Sequence, residues 1–339
     1  MIGDDLLRTI GKLLATFNKG RNVAVISDDI TSRLFGEKVR ISLEDTGYRV
    51  FEFSFKNGED SKNAQTFVEI LEFLAKSGLT RADSVVALGG GVVGDMAGFA
   101  AASFLRGVDF IQVPTTLLSA VDSSVGGKTA INLSAGKNLA GAFYQPSLVL
   151  CDTEIIKNLP SEIFSEGMAE VIKYGAIGSE RILELCRKGA EENLSELIAL
   201  CVSMKRDIVM RDEYDTGERQ LLNLGHTPAH AIEKLSDFRI SHGRAVAIGM
   251  VMMACAAEKS GLCEKGVAEE LSALCKKYSL PVECPFSARD MARIAMSDKK
   301  RGAGEITLVL PEKRGKSILF KVDCGEVEKY FARGSEEEI

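Results

Sequence analysis

The chain has 339 residues, of which 45% are hydrophobic and 27% charged, and its formal net charge is -6. This length and composition suit a globular protein of two domains. The acidic balance argues against a nucleic-acid binder, which needs a basic face, but allows a local basic pocket for an anionic metabolite. Residues 1–20 contain no signal-peptide core, and no apolar run reaches the ~20 residues of a membrane span. We therefore expect a cytoplasmic protein that binds neither nucleic acid nor membrane.

The first half of the chain alternates short apolar runs with helical spacing. Ala64–Lys76 has the periodicity of a helix, and an Ala-rich apolar stretch follows residue 94. Strands separated by helical stretches predict a parallel sheet with helices packed on it. The predicted strands are residues 22–27, 48–55, 84–88, 110–114 and 148–151.

The pattern changes near Pro160, after which helical periodicity dominates. Pro160 followed by Ser161 and Glu162 is a reasonable start for the first of these helices. Residues 305–310 and 317–322 flank a turn and predict a small hairpin. The predicted helices are residues 161–177, 180–186, 194–211, 227–235, 243–260 and 267–278.

Eight cysteines occur, and no two of them have CxxC spacing. A structural zinc site is therefore not expected from the cysteines. We expect them to be buried, reduced thiols of a cytosolic protein.

Gly89, Gly91 and Gly94 match the G-x-G-x-x-G pattern between a predicted strand and a helix. Glycines let the backbone approach a pyrophosphate, and a helix N-terminus favours its negative charge. The motif comes after two earlier strands, and Asp109, the acid at the usual spacing, begins its strand instead of ending it. A tight turn without a ligand is the alternative, but a variant nucleotide-binding fold explains the pattern better.

A second glycine-containing stretch, Gly127-Lys128-Thr129, resembles the end of a P-loop. A P-loop requires glycine five residues before Gly127, where this chain has Asp122. An ATPase or kinase is therefore disfavoured.

All three histidines lie between residues 226 and 242. His226 and His230 are four apart on a predicted helix and share a face, and His242 opens the next helix. A catalytic zinc typically takes three protein ligands and leaves one position open, so the histidines could supply two or three of them. Glu170 could complete the set; the alternative is a solvated helix face, but its apolar neighbours argue against that interpretation. Lys173 lies one turn further along the same face.

Several other cations accompany these residues. On an acidic chain each one alone is most simply a solvated surface residue. If some of them converge, they form a site for phosphate and carboxylate groups. The candidates are Lys128, Lys137, Lys205, Arg219 and Lys299-Lys300-Arg301.

Taken together, these motifs resemble the 3-dehydroquinate synthase family, one of the sugar phosphate cyclases, and the resemblance spans nearly the whole chain. It implies an α/β NAD-binding domain over residues 1–158. A mainly α-helical metal- and substrate-binding domain with a small terminal hairpin would follow over residues 159–339. The residues that carry the resemblance are GGGVVGD at 89–95, FLRG at 104–107, VPTT at 113–116, Asp122, GGKT at 126–129, KN at 137–138, EVIK at 170–173, NLGH at 223–226, His230 and HG at 242–243.

The resemblance also implies roles for single residues. Glu170, His226 and His242 would bind one divalent metal, zinc or cobalt, whereas His230 would be a hydrogen-bonding catalytic residue. Arg106 would reach the phosphate site from the partner subunit of a homodimer. NAD contacts are implied for Asp28, Glu59, Lys62, Gly90, Gly91, Val92, Val93, Gly94, Asp95, Thr115, Thr116, Lys128, Lys137 and Asn158. Substrate contacts are implied for Asp122, Lys128, Asn138, Lys173, Lys205, Arg219, Asn223 and one of Lys299 and Lys300.

The implied reaction converts 3-deoxy-D-arabino-heptulosonate 7-phosphate to 3-dehydroquinate and phosphate, in the shikimate pathway of aromatic amino-acid biosynthesis. Metal and NAD oxidise a secondary alcohol, and the new ketone acidifies the neighbouring C–H so that phosphate leaves by β-elimination. NADH then returns the hydride, and ring opening with an internal aldol closure gives the product. NAD is thus regenerated in each cycle of this phosphate lyase.

Three features depart from the family's pattern. The chain begins almost at its first helix, whereas the family usually has an extra N-terminal strand. Ile30 stands where Asn often follows the NAD-binding Asp by two positions, and Asn158 stands where Thr is common. These departures concern the nucleotide contacts and not the class of reaction.

Three alternatives stay open. Another sugar phosphate cyclase, such as 2-deoxy-scyllo-inosose synthase, resembles the chain but tends to carry an acid at the position of His230. A polyol dehydrogenase of the glycerol dehydrogenase type shares fold and metal, but its substrate has no phosphate for the lysines between Lys128 and Lys205. A non-catalytic module would bind NAD or metal without turnover.

Overall fold

The computed structural model describes residues 1–297 and 304–335, apart from the side chain of Ser297. The chain divides into two compact units, which we call unit 1 (Met1–Leu159) and unit 2 (Pro160–Ile339). Among the described residues, no helix combines the length and the apolar character needed to cross a membrane.

Unit 1 has an α/β architecture. Its strands are β1 Ile2–Gly3, β2 Asn22–Asp28, β3 Arg49–Phe55, β4 Ser84–Gly89, β5 Asp109–Pro114, β6 Lys128–Leu133, β7 Gly136–Phe143, β8 Leu148–Val149 and β9 Cys151–Asp152. Its α-helices are α1 Ile10–Leu14, α2 Asp29–Thr31, α3 Glu37–Glu44, α4 Ala64–Lys76, α5 Gly91–Ser103 and α6 Thr153–Lys157. Shorter helical turns occupy Leu6–Thr9, Ser32–Gly36, Glu59–Ser61, Phe104–Arg106 and Ser119–Ser123.

Five parallel strands form the central sheet of unit 1 in the order β3-β2-β4-β5-β8. Alternate residues of a strand point to opposite faces of a sheet, and the three inner strands, β2, β4 and β5, are buried on both faces. Ala24 and Ile26 of β2 pack in one apolar cluster with α4 and α5. Val23 and Val25 pack in a second cluster with α1 and α3. This parallel sheet between two helical layers confirms the predicted fold of the first half.

The N-terminal segment contains a short strand just before the first helical turn, Leu6–Thr9. β1 pairs in parallel with β9, with Ile2 opposite Cys151. The fully buried Asp152 accepts hydrogen bonds from the backbone N–H groups of Asp5 and Leu7, each at 3.1 Å. A two-residue strand held by a buried carboxylate is too short to give a periodic signal in the sequence.

Unit 2 is mainly helical, as predicted. Its central helix α11 is buried along most of its length. The helix's own Ala, Gly and Met residues occupy all of its faces, so it has no broad polar face to present to solvent. The hairpin β10–β11 is antiparallel and has a bulge at Pro311, where the missing N–H of proline is tolerated. Its α-helices are α7 Ser161–Gly178, α8 Glu180–Lys188, α9 Leu194–Arg211, α10 His226–Leu235, α11 His242–Lys259, α12 Val267–Lys277, α13 Ala288–Ser297 and α14 Val327–Ser335. Its other elements are β10 Glu305–Lys313, β11 Lys316–Asp323 and the 3-10 turns Glu218–Asn223 and Cys324–Glu326.

All eight cysteines are free thiols. Cys151, Cys186, Cys201 and Cys275 are buried, whereas the other four are partly exposed, so the expectation of buried thiols was right for half of them. Burial raises the pKa of Cys151 and of Cys275 to about 12, which keeps both thiols protonated and unreactive.

Candidate functional site

Three side chains of unit 2 converge although they lie far apart in the sequence. Glu170 lies within α7, His226 is the first residue of α10, and His242 is the first residue of α11. One ligand atom from each side chain lies within 4.8 Å of the other two. Glu170 is only 1% exposed, and a carboxylate so deeply buried requires positive charge beside it.

The spacing of these atoms fits metal ligands better than hydrogen-bond partners. Nε2 of His226 lies 3.7 Å from Oε1 of Glu170, and Nε2 of His242 lies 3.6 Å from the same oxygen. Both distances exceed the ~3.2 Å limit of an ordinary N–H···O bond. Tetrahedral coordination at about 2.0–2.1 Å places two ligand atoms about 3.4 Å apart. Two imidazoles and a carboxylate are also the donors of a catalytic metal site with one open position.

The outer nitrogens of both imidazoles face acceptors. Nδ1 of His226 is 3.2 Å from the carbonyl oxygen of Leu224, and Nδ1 of His242 is 3.5 Å from Oε2 of Glu233. The 3.2 Å contact favours the tautomer of His226 that leaves Nε2 available to a metal, and Glu233 lies close enough to orient His242 through small adjustments. Glu233 is a candidate site residue that the sequence did not reveal. Its position seven residues after His226, two turns along the same helix face, is the signal that could have found it.

The two imidazoles differ in charge. Burial lowers the pKa of His226 to about 3, and the nearby Lys173 cation acts in the same direction. Burial also acts to lower the pKa of His242, but the carboxylates of Glu170 and Glu233 outweigh it and raise that pKa to about 10. Lys173, which is 1% exposed, forms an ion pair with Oε2 of Glu170. The lowered pKa of His226 favours the neutral form that a metal ligand needs, whereas the raised pKa of His242 means that a metal ion would compete with a proton there.

Glycines allow the three ligand-bearing segments to approach each other. Gly225, just before His226, has a φ of +77°, and a Cβ there would lie 2.6 Å from the backbone N of Met250 in α11. A Cβ at Gly249 would lie 2.1 Å from the carbonyl oxygen of Gly225. A Cβ at Gly243 would lie 2.4 Å from the carbonyl oxygen of Glu166 in α7. Larger residues would push α7 and α10 away from α11, so these glycines set the distances between the ligands.

His230 lies beside this centre but outside the group that could hold a metal. Its ring is perpendicular to that of His226, with the centroids 5.8 Å apart, and its side chain is exposed. The possible ligand group consists of Glu170, His226 and His242. Helical spacing alone would have paired His226 with His230, whereas the structure places His242 closer, at 5.2 Å between centroids.

Other candidates of unit 2 lie on separate elements. Lys205 on α9 is 7% exposed and Arg219 is 2% exposed, which is unusual for cations without a functional or structural reason. Nη1 of Arg219 donates a hydrogen bond to the carbonyl oxygen of Glu213 at 2.5 Å. Asn223 ends the 3-10 turn Glu218–Asn223 and is exposed. Lys299 and Lys300 lie outside the described residues.

The glycine-rich turn lies at the carboxyl edge of the sheet in unit 1. β4 ends at Gly89 and α5 begins at Gly91. β2 and β4 are neighbours, but the chain leaves β2 toward β3 on one side and leaves β4 toward β5 on the other. This makes their carboxyl ends a topological switch point, where parallel sheets open a crevice for ligands. Asp28, the last residue of β2, lies at the same edge.

Local contacts shape this edge. The carboxylate of Asp28 accepts hydrogen bonds from the backbone N–H groups of Ile30 at 3.0 Å and Thr31 at 2.8 Å, and so caps α2. Asn57 donates its side-chain amide to Asp28 at 3.1 Å, so an amide reaches this carboxylate even though Ile30 is not Asn. A Cβ at Gly90 would meet Thr116 at an ordinary 3.5 Å. The fold therefore does not require glycine at this position.

Lys62 joins the glycine-rich turn to the hairpin β6–β7. The side chain is 5% exposed, and its Nζ lies 2.5 Å from Oδ2 of Asp95 and 2.5 Å from Oδ1 of Asn138. Glu59 accepts a hydrogen bond from Nδ2 of Asn132 at 2.7 Å. Residues expected to bind NAD (Glu59, Lys62 and Asp95) and one expected to bind substrate (Asn138) thus belong to one connected network.

The remaining candidates of unit 1 lie in its turns and strand ends. Leu105 and Arg106 both have positive φ, at 50° and 68°, and Nε of Arg81 donates to the carbonyl oxygen of Leu105 at 3.0 Å. Two consecutive non-glycine residues in this conformation are strained, which is common where a side chain must be held in place. The amide of Asn158 donates a hydrogen bond to the carbonyl oxygen of Glu154 at 2.7 Å. The others are Val92, Val93 and Gly94 in the first turns of α5, Thr115 just after β5, Asp122 in the turn Ser119–Ser123, Lys128 at the start of β6 and Lys137 on β7.

Known proteins resemble both units. Residues 52–166 match the family described as 3-dehydroquinate synthase N-terminal, and residues 167–301 match 3-dehydroquinate synthase C-terminal. A 3-dehydroquinate synthase from Streptococcus gordonii is 41% identical over 98% of this chain and 96% of the relative.

Solved structures show the same fold. A 2-deoxy-scyllo-inosose synthase complexed with carbaglucose-6-phosphate, NAD⁺ and Co²⁺ has a TM-score of 0.88 and 26% identity, over 97% of this chain and 95% of that one. A 2-epi-5-epi-valiolone synthase from Streptomyces hygroscopicus subsp. jinggangensis with NAD⁺ and Zn²⁺ bound has a TM-score of 0.88 and covers 99% of this chain and 96% of that one. At 23% identity, the second likeness concerns the fold alone.

Proposed function

This chain belongs to the 3-dehydroquinate synthase family, and from that premise we propose that it converts 3-deoxy-D-arabino-heptulosonate 7-phosphate to 3-dehydroquinate and phosphate. It would act as a lyase that depends on NAD and a divalent metal. The observation that carries the proposal is the convergence of Glu170, His226 and His242 at the spacing of metal ligands.

The donor set and its surroundings suit a metal bound to substrate. Glu170, His226 and His242 would hold the ion, and Glu233 would orient His242. A bound metal would supply Lewis-acid polarisation of a substrate hydroxyl, and bound NAD would supply reversible hydride transfer. Phosphate leaves by β-elimination once the ketone has formed, and an internal aldol step closes the ring.

The protein's own charged residues would bind the two anionic ends of the substrate. Lys173, Lys205 and Arg219 are each at most 7% exposed, so a phosphate or carboxylate that meets them is largely desolvated and held strongly. His230 would hydrogen-bond the substrate, because it lies beside His226 and is exposed. Asp122, Asn223 and one of Lys299 and Lys300 complete the proposed set.

NAD would bind at the carboxyl edge of the sheet in unit 1. The N-terminus of α5 favours the pyrophosphate, and Gly90 leaves room for it. Asp28 at the end of β2 lies one strand away and can accept hydrogen bonds from a ribose. Lys62 and Asp95 join this edge to the hairpin that bears Lys128, Lys137 and Asn138.

Three finer features belong to the same proposal. The metal is zinc or cobalt, since two imidazoles and a carboxylate suit both ions. The protein acts as a homodimer in which Arg106, on its strained and exposed turn, serves the partner's phosphate site. The protein works in the cytoplasm, which agrees with its eight free thiols.

The test is a phosphate-release assay with the purified protein, NAD⁺ and the heptulosonate phosphate, with and without a chelator. We expect phosphate release without net NADH accumulation, and its loss when the chelator removes the metal. Glucose 6-phosphate as substrate tests for the neighbouring cyclase activity. Steady NADH formation from glycerol, without phosphate release from the heptulosonate, would refute the proposal and identify a dehydrogenase.

A further inference from the structure

The hairpin β6–β7 is irregular where it carries Asn138. Ile131 pairs with Ala140 and Leu133 pairs with Gly136, so a step of two residues on β6 faces a step of four on β7. Asn138 lies in this bulged stretch with a left-handed φ of 56°. Asn tolerates this conformation better than most residues, but a bulge in an exposed hairpin needs other contacts to keep one geometry.

Asn132, directly across the bulge, provides such contacts with both ends of its side-chain amide. Its Oδ1 accepts a hydrogen bond from the backbone N–H of Asn138 at 2.9 Å. Its Nδ2 donates to Oε1 of Glu59 at 2.7 Å. Its own backbone N–H donates to the carbonyl oxygen of Lys62 at 2.8 Å. One residue therefore connects the bulge of the hairpin to the segment that carries Glu59 and Lys62.

We infer that Asn132 is a positioning residue that holds Asn138 for substrate and Glu59 for NAD at the same time. The inference rests on the proposed function, since the roles of Asn138 and Glu59 come from it. In this role Asn132 acts through these two neighbours.

An amide is the side chain that suits this position, because it combines one acceptor and one donor in a planar group. Aspartate keeps the acceptor for the N–H of Asn138 but sets a second carboxylate against Glu59, and the two negative charges repel each other. Alanine removes both contacts. The two substitutions therefore separate the substrate side of the role from the nucleotide side.

The experiment compares wild type, Asn132→Ala and Asn132→Asp, with Leu133→Ala as the matched control. Leu133 is the next residue of β6 and its side chain is 43% exposed, so its truncation perturbs the same hairpin without touching Asn138 or Glu59. The measurements are KM and kcat for the heptulosonate phosphate, the Kd of NAD⁺ by calorimetry, and the melting temperature.

For Asn132→Ala we expect both KM and the Kd of NAD⁺ to rise about five- to tenfold, the effect of losing one hydrogen bond on each side. For Asn132→Asp we expect the Kd of NAD⁺ to rise at least about tenfold while KM stays within about twofold of wild type. Leu133→Ala should leave both constants within about twofold. In each Asn132 variant we expect kcat to change less than the affected binding constant. A general loss of structure would lower kcat as well.

Unchanged KM and Kd in Asn132→Ala would overturn the inference, and so would equal increases in Leu133→Ala. Parallel increases of both constants in Asn132→Asp would also contradict it, because the acceptor for Asn138 is retained there. If Asn132→Ala fails to fold, the isosteric Asn132→Asp carries the test. The NAD⁺ titration needs no turnover. If the wild-type protein binds NAD⁺ but releases no phosphate, the proposed function is refuted, and the effect of Asn132 on NAD⁺ binding can still be measured.

Discussion

The two units build their candidate sites from different parts of the chain. In unit 1 the edge at β2 and β4 is made largely of backbone, because parallel strands present their carboxyl ends together and α5 starts there. In unit 2 the candidate metal centre is made of side chains from α7, α10 and α11, and glycine contacts between these elements set their spacing. The first kind of site depends on room for a ligand, and the second depends on helix packing.

This difference predicts how each site fails. A larger residue in the glycine-rich turn of unit 1 should leave the fold intact and block the ligand. Added bulk between the helices of unit 2 should damage fold and metal binding together. Four substitutions test the comparison, from the largest expected effect on activity to the smallest.

Glu170→Gln should have the largest effect. It removes the anionic ligand and leaves Lys173 buried without its ion-pair partner. We expect loss of bound metal and a fall in activity of more than about a thousandfold. Metal content by mass spectrometry and phosphate release are the measurements. His230→Ala is the matched control on α10, and we expect it to lose activity while keeping the metal. Full metal occupancy in Glu170→Gln would show that Glu170 is not a ligand.

Gly243→Ala tests the role of helix packing. The new Cβ would lie 2.4 Å from the carbonyl oxygen of Glu166, so α11 must move away from α7 and carry His242 with it. We expect a loss of about 1–3 kcal/mol in the free energy of unfolding and metal affinity lower by about ten- to a hundredfold. Gly36→Ala is the control, because its Cβ would find neighbours at an ordinary 3.5 Å. Normal metal affinity in Gly243→Ala would mean that the helix contact does not set the ligand spacing.

Gly90→Ala is the counterpart in unit 1. Gly90 has a φ of -75°, and its Cβ would contact Thr116 at 3.5 Å, so alanine fits the fold. We expect an unfolding free energy within about 0.5 kcal/mol of wild type. The Kd of NAD⁺ should rise at least about tenfold, because the methyl group occupies the space where the pyrophosphate approaches the backbone. Calorimetric titration with NAD⁺ measures this, and an unchanged Kd would place the nucleotide elsewhere.

Asp83→Asn should have the smallest effect on ligand binding. Asp83 is 2% exposed and accepts N–H bonds from Asn22 at 2.8 Å and Thr80 at 2.7 Å, at the amino end of β2, away from the candidate site. Burial alone would raise the pKa of Asp83, but these hydrogen bonds outweigh it and lower the pKa. A lowered pKa means that the carboxylate stabilises the fold above the unfolded pKa of about 3.9, and that this stabilisation is lost as the pH falls through the folded pKa.

For Asp83→Asn we therefore expect a loss of about 1–3 kcal/mol at pH 7 and a weaker dependence of stability on pH below about 4. Urea unfolding at neutral and acidic pH measures both quantities. The Kd of NAD⁺ should stay near the wild-type value. An acid dependence as steep as that of wild type would show that Asp83 contributes little to acid unfolding.

The sequence alone determined the local features of this protein. Ala64–Lys76 and Leu194–Arg211 have the predicted bounds, and the glycine-rich turn follows a strand as expected, because periodicity and turn residues act over a few positions. The hairpin β6–β7 escaped prediction, since β7 is mostly exposed and rich in Gly and Ala, and lacks an apolar alternation. Helices α13 and α14 were also missed.

Tertiary structure decided how distant residues combine. Spacing made His226 and His230 a pair, but packing brings His242 and Glu170 to the Nε2 of His226 and turns His230 aside. The roles of Glu233 and Asn132 likewise depend on partners on other elements. The physical reason is that helix spacing is set by close contacts, such as that of Gly243 with Glu166, between residues far apart in the chain. Local patterns in a sequence carry no record of such contacts.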